Sequence, residues 1–181
     1  PPDLPTRDFL LDARRIGPIL QRASIRFVVN NRADIALAAG ACGVHLGQRD
    51  LPLAQARRIL GPNAILGKSV STPGQALRAE REGADYVAAS AVFPTATKPD
   101  ARAIGLAGLR AIGRGTRLPV IAVGGVTVGS IPLLLRAGAD GVAVISAVFG
   151  SGTISENIRR LHRALGTGSE VRRRGNSDCQ S

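Results

Sequence analysis

Six short apolar runs, separated by amphipathic segments, restrict what this chain can fold into more than any other feature. They are Phe27 to Asn30, Gly43 to Gly47, Ile65 to Val70, Tyr86 to Ser90, Val120 to Val123 and Gly141 to Ser146. A strand with one wet face alternates apolar and polar residues, whereas these runs are apolar on both faces, as strands buried between two layers must be. The intervening segments have helical spacing, as in LPLAQARRIL from Leu51 and GQALRAERE from Gly74. Strand and helix therefore alternate, which predicts parallel strands joined by right-handed βαβ crossovers. An internal repeat supports this reading. Gly40-Ala41-Cys42-Gly43-Val44, Gly83-Ala84-Asp85-Tyr86-Val87 and Gly138-Ala139-Asp140-Gly141-Val142 each set a helix end against the next strand. The leading Gly suits the left-handed position just past a helix C-terminus.

Alternating units fold as a doubly wound open sheet or as a closed barrel. An open sheet gathers its polar, glycine-rich turns at one switch point. Here such segments follow nearly every strand, as in a TIM (β/α)8-type barrel whose βα loops meet at one face. Six βα units are visible, against the eight strands and roughly 250 residues typical of a closed barrel. The opening helical pattern, FLLDARRIGPILQRA from Phe9, reads as the helix after an absent strand. Unpaired strand edges in such a wall predict self-association or marginal stability. One domain over residues 1–166 is expected, followed by a basic disordered tail over 167–181 that contains Arg172, Arg173 and Arg174.

Composition narrows the partners. The chain is 44% hydrophobic and 20% charged, enough for an ordinary core. No apolar stretch approaches the roughly 20 residues that cross a bilayer, so a soluble, cytoplasmic protein without membrane contact is expected. Cys42 and Cys179 have no paired spacing, and neither a disulfide framework nor a metal cluster follows from them. The formal charge of +11 points to anionic partners. Nucleic acid is not the expected one, because Trp is absent, Tyr is single and the arginines are spread over many helices. Of the 24 basic residues 22 are Arg, so Lys68 and Lys98 stand out as places where a compact ammonium is wanted instead of a planar fork.

The strand ends carry the chemistry: Val29-Asn30-Asn31-Arg32, Gly47-Gln48-Arg49-Asp50, Gly67-Lys68-Ser69, Pro94-Thr95-Ala96-Thr97-Lys98, Ala122-Val123-Gly124-Gly125-Val126-Thr127 and Val144-Ile145-Ser146-Ala147. In a barrel they converge, and their hydroxyls, amides, carboxylate, ammonium and backbone N–H groups make a phosphate site. Gly124-Gly125 and Ile145-Ser146 follow the last two strands, where barrels commonly bind phosphate. A tight turn needing positive φ accounts for the glycine pair equally well. Lys98 puts a point charge beside Thr95 and Thr97, in what is otherwise an ordinary Thr-rich loop. Asp50 offers Mg²⁺ the single carboxylate that this ion commonly takes, and it also suits the N-cap of LPLAQARRIL. His45, inside a strand, reads as a hydrogen-bonded core residue, and His162, on the last helix, as a surface residue.

Together these segments resemble thiamine-phosphate synthase from about Asp8 to Leu165. The resemblance is carried by Val29-Asn30, Gly43-Val44-His45-Leu46-Gly47-Gln48 with Asp50, Gly83-Ala84-Asp85-Tyr86-Val87, Phe93-Pro94-Thr95-Ala96-Thr97-Lys98, Ala122-Val123-Gly124-Gly125-Val126 and the run from Gly138 to Ser146. It implies a transferase that joins 4-amino-5-hydroxymethyl-2-methylpyrimidine diphosphate to a thiazole phosphate with Mg²⁺, giving thiamine phosphate and diphosphate. By the resemblance, Asn30, Ser69 and Lys98 hold the pyrimidine diphosphate, with Ser69 and Lys98 as the catalytic residues, and Asp50 ligates Mg²⁺. Thr95, Ala96, Thr97, Gly125, Ile145 and Ser146 hold the thiazole phosphate. The implied partners are phosphorylated small molecules, and a homo-oligomer is among the expected assemblies.

Two departures stand out. The family's first two strands, the second ending in a Gln-x-Arg-x-Lys-like diphosphate clamp, have no counterpart here. Where the family has Asn-Asp supplying a second Mg²⁺ carboxylate, this chain has Asn30-Asn31, so Asn31 would offer the metal only a neutral carbonyl oxygen. The related thiazole tautomerase shares much of the motif set, but that activity is associated with a His in the segment held here by Ser69-Val70-Ser71. A homologue that binds thiazole phosphate without turnover is the remaining alternative.

Overall fold

A computed structural model describes residues 4–95 and 102–166. The expected tail over 167–181 and the site residues Ala96, Thr97 and Lys98 lie outside the described residues. The chain is an α/β protein of six parallel βα units, the repeat from which (β/α)8 barrels are built. Its residues group into two compact units, 4–68 with 81–85, and 69–80 with 86–166.

In the first unit α1 (Thr6–Arg22) leads to β1 (Val28–Asn30), α2 (Ala33–Ala38), β2 (Gly43–Leu46), α3 (Leu53–Leu60) and β3 (Ile65–Val70), whose last two residues belong to the second unit. β1, β2 and β3 pair in parallel, with Asn30 opposite His45 and Leu46 opposite Lys68. The fully buried residues here include strand residues such as Val44, Leu46 and Leu66, together with Ala36 of α2 and Leu53 and Ala56 of α3.

The second unit contains α4 (Pro73–Arg81) apart from its last residue, then β4 (Tyr86–Ser90), α5 (Gly105–Arg114), β5 (Val120–Val123) and a 3₁₀ turn (Val128–Ser130). It ends with α6 (Ile131–Arg136), β6 (Gly141–Ala143), α7 (Ser146–Phe149) and α8 (Ile154–Gly166). β4, β5 and β6 pair in parallel, with Ser90 opposite Val123 and Val123 opposite Ala143. Val87, Ala89, Leu109, Ile112, Ile131 and Leu134 are fully buried. Each large aliphatic side chain so buried contributes about 1.5–3 kcal/mol.

The Gly-Ala repeat works at two levels. Gly40, Gly83 and Gly138 have φ of +63°, +83° and +98°, the left-handed backbone that lets the chain leave a helix and re-enter a strand. The Asp that follows in two of the repeats then bonds twice to one residue of an earlier strand. The Asp85 N–H donates to Leu66 O at 2.8 Å while Asp85 Oδ2 accepts the Leu66 N–H at 2.8 Å. Asp140 does the same with Val120, again at 2.8 Å in both directions. In the first repeat Cys42 holds this place, and only its backbone joins the neighbouring strands, its N–H donating to Phe27 O and its carbonyl accepting from Ile65 N.

β3, β4 and β5 have the bounds expected from the apolar runs, but β6 is shorter, ending at Ala143 where an apolar run continues to Ser146. The strand is only partly buried, and Ile145 is 60% exposed, so apolarity there reflects no buried position. Ser146 instead opens α7.

Candidate functional site

In the first unit, three neighbouring strand ends carry polar groups. Asn30 closes β1, and Asn31 follows it in left-handed backbone, φ +66°, its N–H donating to His45 O at 2.7 Å. Asn is one of the few side-chain-bearing residues that adopt this conformation readily, so the turn itself accounts for an Asn at position 31. Both asparagines are exposed. His45 lies half-buried in β2, and His162 is exposed on α8.

Beyond β2 the chain folds into a tight loop around Gly47. Asp50 Oδ2 accepts the Gly47 N–H at 2.6 Å, and the Asp50 N–H donates back to Gly47 O at 3.3 Å. The expected N-cap role of Asp50 is therefore not what the structure shows, because Pro52 stands at the N-cap of α3 and makes no side-chain capping bond. The carboxylate closes its own loop instead. From β3, Lys68 reaches the same residue, its Nζ donating to Gly47 O at 2.9 Å. Lys68 is the buried charged residue of the described chain, 8% exposed. Asp50 and Lys68 form no ion pair within 4.0 Å among the described residues.

These groups fit Mg²⁺ in one particular way. No cluster of three or more His, Cys, Asp or Glu occurs among the described residues, so these residues build no closed cage. Mg²⁺ does not ask for one: it prefers hard oxygen ligands, keeps several waters, and is held by one or two carboxylates with substrate phosphates. Asp50, half-buried with one oxygen committed to Gly47, offers a single carboxylate oxygen of this type.

In the second unit, the glycine pair after β5 meets the segment after β4. Gly124 and Gly125 have φ of +95° and +63°. A Cβ on Gly125 would stand 2.6 Å from Pro94 O and 2.7 Å from Phe93 Cβ, and one on Gly124 would stand 2.7 Å from Ala91 Cβ. The turn reading of this pair thus holds, and it includes a close approach of two backbones. Val92 N–H donates to Val123 O at 2.8 Å and Phe93 N–H to Gly124 O at 3.1 Å. Ile104 and Gly105, at the start of α5, donate to Ala91 O and Val92 O. Thr95, half-buried, continues this anchored segment, and Ser69 is half-buried in β3. Ile145 and Ser146 are exposed where α7 begins, two and three residues past β6.

Sequence reasoning missed two things here, the second bond of each Asp in the Gly-Ala-Asp repeat and the partner of Lys68. The recurrence of Asp in two of three repeats was the available signal for the first. For the second, the scarcity of lysine marked the residue but not its partner.

The chain as a whole matches known proteins over most of its length. A model of the family described as thiamine monophosphate synthase matches residues 2–148. The chain is 49% identical over 159 residues to the thiamine-phosphate synthase of Methanoculleus marisnigri, covering 87% of this chain and 75% of that protein. It is 45% identical over 161 residues to that of Chloroflexus aurantiacus, covering 88% and 74%. The solved structure of a thiamine phosphate pyrophosphorylase from Pyrococcus furiosus superposes with a TM-score of 0.85 at 39% identity, over 91% of this chain and 79% of that one. In the described residues no helix is long and apolar enough to cross a membrane. On these matches, the chain belongs to the thiamine-phosphate synthase family.

Proposed function

We propose that the chain couples 4-amino-5-hydroxymethyl-2-methylpyrimidine diphosphate to thiazole phosphate, forming thiamine phosphate and releasing diphosphate. The bond from the pyrimidine methylene carbon to the diphosphate oxygen breaks, and its electron pair leaves on the diphosphate. The thiazole ring nitrogen then donates its lone pair to the methylene carbon, closing the new C–N bond. This chemistry asks a protein for leaving-group electrostatics and alignment, not for a nucleophile or a strong base.

Asn30, Ser69 and Lys98 hold the pyrimidine diphosphate in this reading, and Lys98 with Ser69 faces the charge that grows on the departing group. Thr95, Ala96, Thr97, Gly125, Ile145 and Ser146 hold the thiazole phosphate. When bound by Asp50 and Asn31 together with the diphosphate, Mg²⁺ supplies further positive charge to the leaving group. The family match over residues 2–148 carries the reading, since it spans the strand ends from Asn30 to Ser146.

The test is direct. With both substrates and Mg²⁺, the purified chain is expected to release thiamine phosphate, measured as fluorescent thiochrome, with one diphosphate per product. Lys98→Ala is expected to lower kcat more than it weakens thiazole phosphate binding. A folded chain that binds both substrates by calorimetry and forms no product would refute the proposal. Isomerisation of the thiazole without coupling would move the assignment to the tautomerase.

A further inference from the structure

Lys68 is buried, and none of the chemistry above uses it. Along β3 its face is shared with Leu66 and Val70, both buried and apolar. Side chains alternate along a strand, so Lys68 points away from the face that carries Ser69. A charge in such surroundings is unfavourable unless a hydrogen bond compensates it. Among the described residues the compensation is one carbonyl, Gly47 O, 2.9 Å from Nζ. That same residue gives its N–H to Asp50 Oδ2 at 2.6 Å. One peptide-bearing residue is thus gripped at both poles, its C=O by a buried cation and its N–H by the carboxylate. A Cβ at position 47 would stand 3.1 Å from Asp50 Oδ2, so the carboxylate lies close over the glycine.

We infer that Lys68 is a positioning residue for Asp50. It anchors the loop of residues 47–50 from beneath, and the anchored Gly47 N–H fixes one carboxylate oxygen so that the other is presented to a divalent cation in one direction. A chain with 22 arginines keeps a lysine here because a compact ammonium on a linear stem reaches a lone carbonyl from apolar surroundings, where a planar fork with five donors would leave most of them unmatched. The inference rests on the reading of Asp50 as a cation ligand.

The probe is Mn²⁺ in the presence of inorganic diphosphate, with free Mn²⁺ read by electron paramagnetic resonance on the full chain. Lys68→Met is expected to weaken Mn²⁺ binding about tenfold, the low end for partners that orient a metal ligand. It is also expected to speed hydrogen exchange at the Gly47 amide. In an Asp50→Asn background the same substitution is expected to add no further loss, because the two residues act through one carboxylate. Gly47→Ala crowds that carboxylate with Lys68 still in place and is expected to reproduce the loss, so the inference stays testable should Lys68→Met not fold. Unchanged Mn²⁺ binding in both Lys68→Met and Gly47→Ala, or an equal extra loss in the Asp50→Asn background, would overturn it. So would tighter binding in Lys68→Met, which would show the ammonium acting as a repelling charge. If Asp50→Asn itself leaves Mn²⁺ binding unchanged, Asp50 is not a ligand and both readings fall together.

Discussion

Two glycines with the same backbone angle separate conformational strain from close packing. Gly125 and Gly40 both have φ of +63°. An alanine at either position must adopt the left-handed region, which costs about 1–2 kcal/mol. At Gly40 nothing lies within 4 Å of the added Cβ, so the cost ends there. At Gly125 the Cβ would meet Pro94 O at 2.6 Å and Phe93 Cβ at 2.7 Å, both closer than real Cβ contacts allow. That neighbour cannot retreat freely, because Val92 and Phe93 are tied to the end of β5 by bonds of 2.8 and 3.1 Å and Ala91 O is tied to Ile104 at 2.9 Å. Overpacking of a fixed contact adds about 1–3 kcal/mol. Gly125→Ala should therefore cost about 2–5 kcal/mol and Gly40→Ala about 1–2. Urea unfolding reads the difference as a lower midpoint at an unchanged slope. Equal losses in the two variants would refute the close approach of the 124–125 turn to the 93–94 segment.

Three further outcomes follow from particular bonds. Glu80 accepts the Thr116 hydroxyl at 2.6 Å, the Arg117 N–H at 2.9 Å and Arg117 Nε at 2.8 Å, and these bonds, the hydroxyl first, hold its carboxyl at about 2. A lowered folded-state value means stability that is present above the ordinary carboxyl value and lost as pH falls toward 2, so the parent should lose more than Glu80→Gln over that window in urea titrations. Asp85→Ala leaves the Leu66 N–H without the acceptor now at 2.8 Å, and a loss of about 1–3 kcal/mol in urea unfolding is expected. Asn31→Asp should lower the Mg²⁺ concentration for half-maximal turnover, most at low substrate, and it should do so without strain since Asp also adopts the φ of +66° held there; an unchanged Mg²⁺ dependence would remove position 31 from the site.

The βα order was legible because burial on both faces leaves a plain mark. Ile65 to Val70, Tyr86 to Ser90 and Val120 to Val123 are mostly apolar, and each became a strand with those bounds. The same mark misled at the end of the chain. Val144 and Ile145 are apolar without being deeply buried, and a turn beginning at Ser146 replaced the predicted strand end. The glycines of the Gly-Ala repeats were legible for a different reason, since one local conformation explains each of them. The aspartates that follow were not, because their second bond goes to a residue about twenty positions earlier. No local pattern contains that partner.

Lysine scarcity shows where such reasoning stops. It marked Lys68 and Lys98 by the same chemical argument, a point charge chosen over a fork. On β3, however, the residue after Lys68 is Ser69, and alternation puts the two on opposite faces. The Lys68 ammonium therefore turns toward apolar neighbours and gives its hydrogen bond to Gly47 O. Composition reports which charge a fold requires, while the parity of a strand position decides whether that charge meets the substrate or the scaffold.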